Sequence, residues 1–93
     1  MNSSTYEKTR IIHVGENQNS EVLEVAIKGI VDSFGSANKI THAVIYGSTN
    51  SVGLTFKRKT SLFHWDIERF EKFGFHLDHV GAMKGQLMIE LQG

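Results

Sequence analysis

Between Ser20 and Gly35 the chain reads S-E-V-L-E-V-A-I-K-G-I-V-D-S-F-G, and Leu23, Ala26, Ile27, Ile30, Val31 and Phe34 recur at intervals of three and four. That spacing draws one apolar stripe along a helix, with Glu21, Glu24, Lys28 and Asp32 on the opposite side. Ser20 is placed to cap the N-terminus, Glu21 and Glu24 to meet the positive end of the helix dipole, and Gly35 to end the helix in a left-handed conformation. Such a helix is about 22 Å long. It is not stable alone in water, so other segments must cover its stripe.

Those segments read mostly as strands. Tyr6–Val14 is extended, best supported at Arg10–Val14, with Ile12 and Val14 on one face. Ile40–Tyr46 carries a nearly continuous A-V-I-Y run and reads as an interior strand. After the turn G-S-T-N-S, Val52, Leu54 and Phe56 alternate with Gly53, Thr55 and Lys57, which predicts an antiparallel strand with one buried face. K-R-K-T-S returns the chain to solvent. Phe63, Ile67, Phe70 and Phe73 then recur at helical spacing, capped by Ser61 or Asp66 and closed by Gly74. Whether L-F-H-W opens that helix or extends the preceding strand is left open by the spacing. Phe75–Val80 and the alternation of Leu87, Ile89 and Leu91 give two last strands around the turn G-A-M-K-G.

The element order is β-α-β-β-α-β-β. Its first six elements match a ferredoxin-like split βαβ sandwich, an α+β fold with an antiparallel sheet and two helices on one face. In that arrangement the first and third strands are central, and the fifth hairpins onto the fourth at an edge. The alternative is another α+β sandwich with the same element order. Residues 1–5 read as a flexible tail and 6–93 as a single domain.

Composition narrows the function classes. Ten basic residues balance ten acidic ones over 93 residues, so the chain has little long-range field for gathering nucleic acid or anionic membrane. Near-zero net charge favours self-association. The absence of cysteine excludes disulfides and thiolate chemistry and suits a reducing compartment. No apolar h-region or membrane-length apolar run occurs, so a cytoplasmic location without membrane contact is expected.

Five histidines invite a metal reading. In F-H-L-D-H, strand alternation puts His76 and Asp78 on one face, where they could ligate Zn²⁺ or poise a general base; it sends His79 to the other. His13 and His42 face each other only if their strands are neighbours. No H-E-x-x-H, G-x-S-x-G or phosphate-binding glycine loop is present, so the chain reads as a non-enzyme without a cofactor. Lys57, Arg58 and Lys59 form the one local concentration of charge, with Phe56, Phe63, His64 and Trp65 beside them.

On a split βαβ scaffold such a patch suits single-stranded RNA. I-I-H-V-G at 11–15 and V-G-L-T-F at 52–56 resemble, at a distance, the first- and third-strand motifs of the RNA-recognition-motif family. That resemblance implies base stacking on the sheet. Only Phe56 supplies a ring, however, since Ile12 and Leu54 stand where the family usually has aromatics.

Nine aromatics, with Phe63, Trp65, Phe70, Phe73 and Phe75 close together, exceed what one short helix can cover. The leading expectation is therefore a small non-enzymatic binding module, homodimeric, contacting a protein or small molecule through Phe63, Trp65, Phe73 and Met88. An open last strand pairing with its twin would be one route to the dimer. Nucleic-acid binding through Phe56, Lys57, Arg58 and Lys59 is the alternative. A metal- or histidine-dependent enzyme around His76 and Asp78 is the second.

Overall fold

The first helix, α1 (Ser20–Phe34), buries Leu23, Ile27, Ile30, Val31 and Phe34, and Ala26 packs at the margin of the same cluster. This is the stripe the spacing predicts. The computed structural model describes residues 9–15 and 18–93, so the expected tail at 1–5 and the Tyr6–Lys8 part of the first strand lie outside the described residues. Asn19, not Ser20, is the N-cap, and Ser20 is the first helical residue. Gly35 ends α1 at φ +61° and ψ −141°, a positive-φ conformation that is open to glycine but lies outside the expected left-handed helical region, and it donates its N–H to the Asp32 carbonyl.

Five strands form near the predicted positions: β1 (Arg10–Val14), β2 (Ile40–Tyr46), β3 (Ser51–Phe56), β4 (His76–Met83) and β5 (Gln86–Gln92), with helix α2 (His64–Lys72) between β3 and β4. β4 continues past Val80 through Gly81, Ala82 and Met83, which leaves only Lys84 and Gly85 for the expected turn. The architecture is α+β, with one mixed sheet and two helices. Its strand order is β1-β2-β3-β5-β4. β1 and β2 are parallel and every other pairing is antiparallel.

This order departs from the split βαβ expectation, in which β1 would pair with β3. Either side of the β2–β3 hairpin was open to β1, and it takes the β2 side. The register there matches Ile12 with Val44 on one face and Ile11 with Ala43 on the other. The A-V-I-Y strand thus gains a partner on both edges, in keeping with its interior character. The vacant side of β3 goes to β5. Its inward positions Leu87, Ile89 and Leu91 outweigh those of β4, namely Leu77, Val80 and Ala82. β5 is therefore interior and β4 is the edge, which corrects the expectation of an open last strand.

Both helices lie on one face of the sheet. Ala43 and Ile45 from β2, Val52, Leu54 and Phe56 from β3, and Ile89 and Leu91 from β5 meet the α1 stripe together with Phe70 of α2 and Phe75. Two irregularities re-aim side chains: the pairing of β2 shifts between Ile40 and His42, and that of β4 between Leu77 and His79.

Helix α2 begins at His64, so His64 and Trp65 are helical while Leu62 and Phe63 precede the helix. Of the two capping candidates, Asp66 performs the role. Its Oδ2 accepts the Phe63 N–H at 3.1 Å and the Lys39 Nζ at 3.1 Å, and the residue is only 1% exposed. A second polar knot joins β1 to β2: Asn38 donates to Thr9 Oγ1 at 2.8 Å, and Thr9 donates to the Ile40 carbonyl at 2.8 Å.

Asp66 pins the start of α2 and the end of the α1–β2 connection at once. Asp66→Ala leaves the Phe63 N–H without its acceptor and Lys39 without its counter-ion. We expect a loss of about 2–3 kcal/mol in folding free energy, read as a lower urea midpoint at unchanged slope. A loss below about 0.5 kcal/mol would show that the cap and ion pair contribute nothing net.

Candidate functional site

Among the described residues, no helix covers the other face of the sheet. Alternation in β1 sends Arg10, Ile12 and Val14 to it, and their register partners on β2 are His42, Val44 and Tyr46. β3 presents Ser51, Gly53 and Thr55 there, and β5 presents Met88 and Glu90. The result is a patch in which Tyr46 (37%), Met88 (39%), Ile12 (40%), Val14 (47%) and Met83 (61%) are each more than a third exposed. Isolated exposed apolar residues are ordinary, but several on one sheet face form a contact surface.

The centre of this face is a shallow trough of about 270 Å³. Gly53 and Gly81 keep it open, and Tyr46, His79, Met83, Met88 and Glu90 contribute to its lining. The edge of the Tyr46 ring reaches diagonally across to Gly53, where an added Cβ would lie 3.7 Å from Tyr46 Cε2.

The four residues expected to form one contact do not lie on one surface. Met88 is on the bare sheet face. Phe63 and Trp65 sit at the start of α2, their rings stacked at 4.7 Å and 18°. Phe73 follows α2 and leans onto Gly29 of α1, where an added Cβ would stand 2.6 Å from Phe73 Cε1. Trp65 and Phe73 border a groove with Ser33, Glu68, Arg69 and Lys72. Arg69 Nη1 donates to the Ser33 carbonyl at 2.8 Å, and the guanidinium lies 4.3 Å from the Phe34 ring centroid. Sequence reasoning did not bring Ile12, Val14 or Tyr46 into the contact. The alternation Val44, Tyr46 was the available signal, but it could not tell which face the helices would leave bare.

Phe56 must be withdrawn from the nucleic-acid set: it is fully buried on the helix side of β3. Lys57, Arg58 and Lys59 are exposed. The resemblance to the RNA-recognition motif fails on topology as well, because β2 separates β1 from β3.

The pairing of His76 with Asp78 also changes. The irregularity in β4 leaves Asp78 out of register, so that His79 stands opposite Glu90 and comes to the bare face, while His76 stands opposite Gln92. Among the described residues no group of three histidine or carboxylate side chains converges to hold a metal ion. His13 and His42 are on neighbouring strands, as the conditional reading required, but they alternate to opposite faces.

His13 instead meets α1. Its Nε2 lies 2.5 Å from Glu24 Oε1, and Glu24 Oε2 is 2.9 Å from Lys28 Nζ. These partners, Lys28 first and His13 second, hold the Glu24 carboxyl below its usual value of 4.5. The trio ties β1 to the helix that covers it, and reads as structural.

No protein-family model, curated protein or solved structure matches the chain. Among the described residues no helix is long and apolar enough to cross a membrane.

A carboxylate whose folded-state pKa is depressed adds stability above its unfolded value and loses it as pH falls through the folded value. The Glu24 contribution is therefore complete above about pH 5 and disappears as pH drops through its depressed value, below 4.5. Glu24→Gln is expected to melt lower than the parent at pH 7, with the gap narrowing as pH falls through the depressed value. Thermal melts across that range would refute the assignment if the gap were independent of pH.

Proposed function

We propose that the protein is a non-enzymatic interaction module that works through the bare face of its sheet, and that a second copy of the same chain occupies that face. The observation that carries this reading is the exposed row of Ile12, Val14, Tyr46, Met83 and Met88 on a sheet that the helices cover from one side only. Five strands are roughly 24 Å across, and strands of this length run roughly 20 Å, so the face offers about 500 Å². Two copies would bury about 1,000 Å² in total, the lower bound of specific interfaces.

Sheets stack face to face at about 10 Å, and the methionines and the glycine trough suit that separation. A chain with no net charge does not repel its twin. A cytoplasmic setting accords with the absence of cysteine.

The enzymatic alternative draws little support. His76 and Asp78 no longer share a face by regular alternation, and His79 and Glu90 are a cross-strand pair without a third convergent group among the described residues.

Sedimentation equilibrium tests the reading. The parent chain is expected at about twice its 10.4 kDa mass in the micromolar range. Met88→Lys places a charge in the middle of the contact on both copies and should weaken association by more than about 100-fold. Because Met88 is partly exposed in the single chain, its melting temperature should hold. A parent that stays monomeric at about 100 μM, or a Met88→Lys variant that dimerises equally well, would reject the proposal.

A further inference from the structure

The neutral total conceals a local imbalance. Lys57, Arg58 and Lys59 follow β3, and Lys84 lies in the β4–β5 turn, so four of the ten basic residues occupy two turns at one end of the sheet. The two turns are adjacent: Arg58 Nη1 stands 2.9 Å from where a Cβ on Gly85 would begin. All four side chains are exposed. Among the described residues none of them makes an ion pair. Asp66, which belongs to the same end, is buried and holds Lys39.

Two of these lysines sit where the backbone suits another residue. Lys59 has φ 63° and Lys84 has φ 55°, left-handed conformations that glycine and asparagine adopt more readily. Two left-handed lysines in adjoining turns place local backbone strain where the cations gather.

The chain leading away from Lys59 reaches Phe63 in four residues, a span of at most about 14 Å. There a stack has already begun. Lys39 Nζ lies 5.1 Å from the Phe63 centroid, Phe63 stacks on Trp65, and His64 meets the Trp65 ring edge-on at 4.9 Å. Trp65 is 50% exposed, and no further ring of the described residues stacks on it.

We infer that this end of the molecule is a site for single-stranded nucleic acid. An unpaired base stacks on Trp65, and the adjoining phosphates meet Lys57, Arg58, Lys59 and Lys84. Stacking on an indole needs the face of a base, which a duplex hides, and it tolerates any sequence; point charges on lysine stems track a backbone without reading it. The exposed rings that follow the basic turn are thus Phe63 and Trp65, in place of the buried Phe56. The site consists of turns and the start of α2; it adjoins the bare sheet face where Lys84 follows Met83, but none of its own residues belongs to the dimer row and it does not rest on the dimer.

The full chain is titrated into a labelled single-stranded oligouridine of about 12 nucleotides, following anisotropy and the emission of Trp65, the protein's one tryptophan. Binding is expected to quench Trp65. Four phosphate contacts predict that log K falls with log salt at a slope of about −3, and Trp65→Ala should weaken binding by about 10-fold. Lys84→Asn should raise the melting temperature by relieving the left-handed lysine, while weakening binding and flattening the slope by about 0.7. Absence of binding at low salt, or binding that leaves Trp65 emission unchanged, would overturn the inference. So would equal affinity for a duplex of the same length or for anionic lipid vesicles, either of which would mark a general polyanion patch.

Discussion

The stripe on α1 is the constraint from which the rest of the structure follows. Burying Leu23, Ile27, Ile30, Val31 and Phe34 contributes about 10 kcal/mol in transfer terms. That is comparable with the entire net stability of a domain of this size. The helix must therefore lie on a sheet wide enough to take all five side chains, and β2, β3 and β5 supply that width with Ala43, Ile45, Val52, Leu54, Ile89 and Leu91. The crossover through α1 brings β1 alongside β2 in parallel, and His13 and Glu24 fasten the margin.

One consequence is asymmetry. Two helices can cover one face of five strands, and no third element among the described residues is left for the other. A sheet with one wet face normally alternates apolar and polar residues. Here β1 and β2 depart from that rule, with Ile12, Val14, Val44 and Tyr46 outside as well as apolar neighbours inside. The same two strands that make the parallel pair thus make the bare face apolar. Charge is distributed unevenly too, since four of the cations without an ion pair among the described residues gather in the turns at one end.

The types of all seven elements were readable because each depends on neighbours within a turn or a pleat, whereas the end of β4 and the start of α2 were not. The α1 stripe, the alternation of Val52, Leu54 and Phe56, and that of Leu87, Ile89 and Leu91 all name the inward residues correctly. Asp66 as a cap was readable to within one alternative. The contact surface was not. Phe56 stood beside three cations in sequence, yet the alternation that predicted its strand also turned it inward. Ile12 and Val14 were placed together on one face, but nothing local says which face is covered. The irregularity at Asp78 exchanges His79 for Asp78 on the bare face, and one extra residue in a strand leaves no trace in composition.

By itself, then, the sequence determined periodicity: which residues turn inward along each helix and strand, where glycine stops α1, and that no net charge or thiol chemistry is available. Tertiary structure alone decided adjacency. It decided that β1 joins β2 instead of β3, that β5 displaces β4 from the interior, and that Arg58 overhangs the turn carrying Lys84. The physical reason is one of range. Periodicity is enforced by backbone geometry over a few residues, whereas strand order is a contest between whole edges whose outcome depends on apolar area contributed from both ends of the chain.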